Sequence, residues 1–131
     1  MAALCILQGG TKKLIIAEKP SVALFIAKVV GASSRKDGYI QGNGYMVSWC
    51  VGHLIQMASP DKYDEKYAKW NLDDLPILPK DFKYEVSKNT KKQYGVLKKL
   101  LHLKEVDTVI NACDAGREGE LIFRLVYEEA K

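Results

Sequence analysis

Apolar residues recur along this chain in short unbroken runs and in spaced, helix-like sets, and the two kinds alternate. Leu14-Ile15-Ile16, within Lys12–Ala17, is continuous and predicts a short strand buried on both faces. Glu18 and Lys19 follow, then Pro20, a residue favoured at the first helical position because its missing N–H has no partner there anyway. The spacing predicts a helix from Pro20 with Val22, Ala23, Phe25, Ile26, Val29 and Val30 as its apolar positions and Gly31 as its stop. Tyr39–Gln41 and Tyr45–Trp49 flank Gly42-Asn43-Gly44 and predict a hairpin, which Val51-Gly52-His53-Leu54 leaves. Ser59-Pro60 opens a long polar connection, and residues 61–80, with Trp70, Pro76 and Pro79, read as an irregular loop. A loop of that length in a small domain is commonly functional or covered from outside. Phe82–Val86 predicts a strand. Asn89 or Thr90 caps a helix carrying Tyr94, Leu97, Leu100 and Leu101 on one side, despite the weakening Gly95. The run Val106–Ile110 predicts a strand over 106–111, and Leu121, Ile122, Leu125 and Val126 predict a last helix reaching the final residue.

Strands alternating with helices imply an α/β fold with a mostly parallel sheet. A chain of 131 residues with 47% apolar content suits one domain with one core. No apolar run approaches the roughly 18 residues of a membrane span, so no membrane partner is expected. Residues 1–10 are too short and too poorly charged for a secretory signal. Cys5, Cys50 and Cys113 are widely spaced without a C-x-x-C pair, which disfavours a disulfide framework or a zinc site and favours a reducing cytosol. No closing element follows Tyr127–Lys131, so the expectation is an N-terminal piece of a longer chain, with residues 1–11 a leader foreign to the domain at 12–131.

The net charge of +4 is uninformative, but its distribution is not. Residues 80–104 hold eight lysines against Asp81 and Glu85, 8 − 2 = +6. Residues 114–131 hold three basic and five acidic side chains, 3 − 5 = −2. A basic flank beside an acidic cluster suits a polyanion held near a metal. Lys91, Lys92, Lys98 and Lys99 equally suit the solvated face of a helix.

The densest chemistry lies at Asn111-Ala-Cys-Asp-Ala-Gly-Arg-Glu-Gly-Glu120, between the last strand and the last helix. Ligands gather at such turns in α/β folds, and crowded carboxylates there repel one another unless a cation or proton intervenes. In a parallel sheet the turn after 12–17 can meet this one, bringing Glu18 to Asp114 and Glu118. Magnesium accepts such a hard-oxygen shell together with water and phosphate oxygens. A carboxylate left free of metal can move protons, and Lys19 and Arg117 can pair with a phosphate, Arg117 in a bidentate manner. The same residues have a purely structural reading, with Asp114 as an N-cap and Glu118 and Glu120 complementing the helix dipole. His53 fits a satisfied polar residue beside the hairpin, Cys113 a small filler, and Trp49 and Trp70 anchors of core or loop.

Ile15-Ile-Ala-Glu-Lys-Pro-Ser-Val-Ala23, Val51-Gly-His-Leu54 and Cys113-Asp-Ala-Gly-Arg-Glu-Gly-Glu120 together resemble the Toprim domain of type IA DNA topoisomerases, and within it the bacterial topoisomerase III branch. The resemblance covers residues 12–131. It implies a Rossmann-like Toprim fold: a mostly parallel sheet flanked by helices, with a β-hairpin insertion. It also implies ATP-independent transesterification on single-stranded DNA, in which a tyrosine forms a 5′-phosphotyrosine link, another strand passes and the break is resealed. Glu18 then matches the Toprim glutamate that handles protons at the 3′-oxygen, and Lys19 the lysine that stabilises phosphate charge. Asp114 and Glu118 match the outer acids of the Asp-x-Asp-x-Glu pattern that holds Mg2+, to which Glu18 also contributes, and Arg117 and Glu120 match flanking positions. The partners implied are single-stranded DNA and the remaining domains of the parent chain, with no small-molecule cofactor, in a bacterial cytoplasm at the nucleoid.

Gly116 replaces the middle acid of that pattern, which weakens the case for a second metal. None of the seven tyrosines falls in a motif like that of the family's nucleophile, so the chain alone is expected to cleave nothing. Two other readings stay open: a Toprim nuclease or primase, which needs no tyrosine, and a non-catalytic DNA-binding Toprim module.

Overall fold

A computed structural model describes the backbone of residues 4–6 and, with side chains, residues 12–131; the rest of the leader expected at 1–11 lies outside the described residues. The elements run β1 (Leu4–Ile6), β2 (Lys12–Ala17), α1 (Pro20–Val30), β3 (Ser34–Lys36), β4 (Tyr39–Gly42), β5 (Tyr45–Trp49), β6 (Ile55–Met57), β7 (Tyr84–Val86), α2 (Lys91–Leu101), β8 (Val106–Ala112) and α3 (Arg117–Glu129). Six strands form one sheet in the order β1-β8-β2-β5-β4-β3, while β6 and β7 pair separately. The centre, β8-β2-β5, is parallel, and β1, β4 and β3 each join antiparallel to their neighbours. Since β3 reverses β4 and β4 reverses β5, four of the six strands point the same way, in keeping with the mostly parallel α/β expectation.

The period-two alternation of β2 divides the core. Leu14 and Ile16 face α2 and α3, packing with Leu97, Leu100, Val109, Ile122, Phe123 and Val126. Ile15 and Ala17 face α1, packing with Ala23, Ala27, Ile40 and Val47. All four of these β2 residues are buried, as strands between two helical layers must be. On α1 the buried positions are the alanines, and Val22, Leu24, Phe25 and Val29 stay exposed, contrary to the apolar stripe predicted from spacing. Small residues let this helix lie close to the sheet, and its larger apolar groups then overhang the contact. Gly31, at φ 77°, ends the helix, and the Ala32 N–H donates to Ala27 O at 2.8 Å.

The hairpin forms with a tighter turn than predicted, because Gly42 belongs to β4 and only Asn43 (φ 51°) and Gly44 (φ 78°) bridge to β5. Two left-handed residues match the twist of the flanking strands, hence Asn-Gly. A further strand, β3, adds through the Asp37-Gly38 turn. Its Ser34-Arg35-Lys36 is wholly exposed and carries no apolar signal. The strand predicted over Phe82–Val86 is only Tyr84–Val86, and Phe82 is exposed. The long connection is irregular except for single 3-10 turns at Pro60–Lys62, Glu65–Ala68 and Leu72–Asp74, two of them capped by Asp64 and Asn71. Trp49 packs against the α1-side core, whereas Trp70 lies in the long connection and is 87% exposed. The last helix ends at Glu129, short of the final residue. No helix among the described residues is long and apolar enough to cross a membrane.

Candidate active site

β2 lies between its two parallel partners, and the register sets Ala17 opposite both Trp49 of β5 and Ala112 of β8. The three strands therefore end level, and Glu18, Cys50 and Cys113 emerge together at the carboxyl edge. The Cys50 N–H donates to Ala17 O at 2.8 Å and carries the pairing one step past β5. The Asp114 N–H donates to Glu18 Oε2 at 3.2 Å, joining residues 96 positions apart. Two turns remote in sequence thus share one carboxylate.

The turn after β8 is folded back on the helix it starts. Asn111 Oδ1 accepts from the Cys113 N–H at 3.0 Å, and the Gly116 N–H donates to Asp114 O at 2.8 Å. Gly116 occupies the N-cap position of α3, and no side chain caps the helix, so the N-cap reading of Asp114 does not hold. A Cβ on Gly119 would stand 2.1 Å from Asp114 O, so only glycine permits this packing. Gly116 differs: its backbone is extended (φ −157°, ψ 177°) and a Cβ there would meet nothing within 4 Å.

The carboxylates divide into two kinds. Glu120 accepts from Asn111 Nδ2 at 2.9 Å and from Arg124 Nε and Nη2 at 3.0 and 2.8 Å, so it ties strand, turn and helix together. Glu118, its side chain 72% exposed, pairs through Oε1 with His53 Nε2 and with no other side chain among the described residues. The Asp114 carboxylate is exposed and makes no hydrogen bond or ion pair among the described residues. Lys19, the extended residue before Pro20, and Arg117, the first residue of α3, are also exposed, and neither side chain has a partner among the described residues. Beneath them, the hydrogen bond that the protonated Cys50 thiol makes to the Cys113 side chain, and then burial, push Cys50 far above the usual thiol range. A thiol held protonated is a poor nucleophile, so the buried Cys50 is packing.

The donor set suits a hard cation. Glu18, Asp114 and Glu118 offer only oxygen, at the exposed mouth of the edge. Among the described residues no three His, Cys, Asp or Glu side chains converge as a ready cage. Magnesium does not need one, since it keeps several waters and takes one or two carboxylates plus phosphate oxygens. The residues present therefore fit Mg2+.

The sequence pattern of the Toprim domain matches residues 13–131. The chain belongs to the Toprim family. Among its relatives, DNA topoisomerase 3 of Bacillus cereus is 48% identical over 121 residues, covering 92% of this chain and 17% of the relative. The DNA topoisomerases 3 of Shouchella clausii and Staphylococcus epidermidis are each 46% identical, over 119 and 118 residues, covering 91% and 90% of this chain and 16% and 17% of theirs. This Toprim domain thus spans about a sixth of the length of those relatives.

Of the residues singled out from sequence, the fold brings Glu18 to Asp114 directly and places Arg117 and Glu118 on the first turn of α3. Two participants went unassigned. His53 reads as a bystander in the sequence, yet it pairs with Glu118. Gly52, at φ 73°, turns the chain just before it, but that turn carries no information about the partner. Asn111, a polar residue closing an apolar run, braces both the turn and Glu120.

Proposed function

We propose that this Toprim domain is the acidic, metal-holding part of a type IA DNA topoisomerase active site. The observation that carries the reading is the Asp114 N–H donating to the Glu18 carboxylate, which assembles motifs from opposite ends of the chain at one edge. The naming of its relatives as DNA topoisomerase 3 supports the same reading.

In this mechanism a tyrosine from another domain attacks a backbone phosphate of single-stranded DNA. As the 5′-phosphotyrosine bond forms, the tyrosine releases its hydroxyl proton to solvent; the bond to the 3′-oxygen breaks, and that oxygen takes up a proton. Glu18 gives this proton and removes it again on resealing; its Oε2 is held by the Asp114 N–H, which leaves Oε1 for the substrate. Lys19 and Arg117 hold the phosphate. Asp114 and Glu118, with Glu18 beside them, would hold Mg2+, which supplies positive charge against the phosphate oxygens. The single-stranded substrate, the further domains of the parent chain and a place in the bacterial cytoplasm at the nucleoid belong to the same proposal.

Glu18→Gln in the full-length protein tests it. The amide keeps an oxygen for Asp114 N–H but cannot exchange protons at physiological pH. Relaxation of supercoiled DNA should fall by roughly 10²-fold or more while single-stranded DNA still binds. Unchanged relaxation would remove Glu18 from the mechanism. Metal-dependent nuclease activity from the 131-residue chain alone would instead favour a different Toprim enzyme.

A further inference from the structure

We infer that His53 is a positioning residue that fixes Glu118 through one carboxylate oxygen and leaves the other for the cation. This rests on the metal reading above and adds a residue to it.

A carboxylate only accepts, so Nε2 of His53 carries the hydrogen in its contact with Glu118 Oε1. Among the described residues, Glu118 Oε2 takes part in no hydrogen bond. The imidazole rides on an anchored loop. Cys50 and Leu54 on either side of it are fully buried, and Leu54 O accepts from the Ser87 N–H at 2.9 Å and from Thr90 Oγ at 3.4 Å. His53 itself is exposed, so its bond to Glu118 contributes little to the core. Glu118 by contrast stands out from the first turn of α3, where an unpaired glutamate samples several rotamers and a cation must arrest them. Ligand carboxylates are commonly held by such outer hydrogen bonds, and their loss typically lowers metal affinity roughly 10- to 100-fold. The demand is greater here because Gly116 supplies no middle acid, so each remaining oxygen counts for more.

The test is a Mg2+ titration of the 131-residue chain, read from the amide shifts of residues 114 to 119. His53→Ala should weaken binding by roughly 10-fold or more, and His53→Gln, which restores an N–H donor, should recover part of the loss. In a Glu118→Gln background His53→Ala should have no further effect. Wild-type affinity in His53→Ala, or an equal loss with and without Glu118, overturns the positioning role while leaving the metal reading intact. Failure of the wild-type chain to bind Mg2+ overturns both, and so separates the two cases.

Discussion

The turn after β2 uses two residues, Glu18 and Lys19, before Pro20 starts α1, whereas the turn after β8 uses four, Cys113 to Gly116, before α3. The first is held by chain geometry: an extended residue, then a proline whose φ is already helical. Its side chains make no bonds within the turn. The second is held by contacts, with Asn111 bracing Cys113, Gly116 closing on Asp114 and Glu120 tied back to the strand. The simple turn presents one carboxylate outward, and the folded turn builds the surface that receives it. Positioning a side chain and building its socket thus call for different amounts of sequence, and substitutions should fall unequally on the two.

The largest effect is expected at Gly119. An alanine in a helix ordinarily stabilises relative to glycine, but here its Cβ would enter the Asp114 backbone at 2.1 Å. Gly119→Ala should cost about 3 kcal/mol and lower the melting temperature by roughly 10 °C in a thermal circular-dichroism scan. An unchanged melt would show that the folded turn has slack. Gly116→Asp comes next, since the site has open space and an extended backbone. Aspartate at an N-cap is well tolerated, and the added carboxylate should tighten Mg2+ binding roughly 10-fold by calorimetry with little change in stability. Weaker binding would mean that the missing middle acid is not what limits the site. The smallest effect belongs to the other turn. Pro20→Ala should cost about 0.5 kcal/mol in chemical denaturation, the entropy that proline removes from the unfolded chain. A loss as large as that at Gly119 would erase the difference between the two turns.

The legible parts of the molecule are those where periodicity or a special residue leaves a local mark. β2, both flanking helices of the site, the Asn-Gly hairpin and the Pro20 start could be read because each obeys a rule within a few residues. The meeting of Glu18 with Asp114 followed from parallel topology and the motif resemblance together. What escaped was decided at longer range. β3 is polar and exposed and forms only because β4 offers it an edge. The stripe on α1 was misjudged because alanines, not the larger residues, make its contact. The partner of His53 lies 65 residues away, and no local pattern encodes such a pairing.

β2 is hydrogen-bonded along both of its edges, to β5 and to β8. Its amides can exchange with solvent only when the middle of the sheet opens, an event close to global unfolding, whereas the β3 margin and the exposed 59–83 excursion can breathe alone. Glu18 is the residue immediately beyond that strand. The carboxylate proposed for the heart of the site is therefore moored to what should be the most slowly exchanging part of the molecule, and it should keep its address through fluctuations that transiently dissolve the periphery.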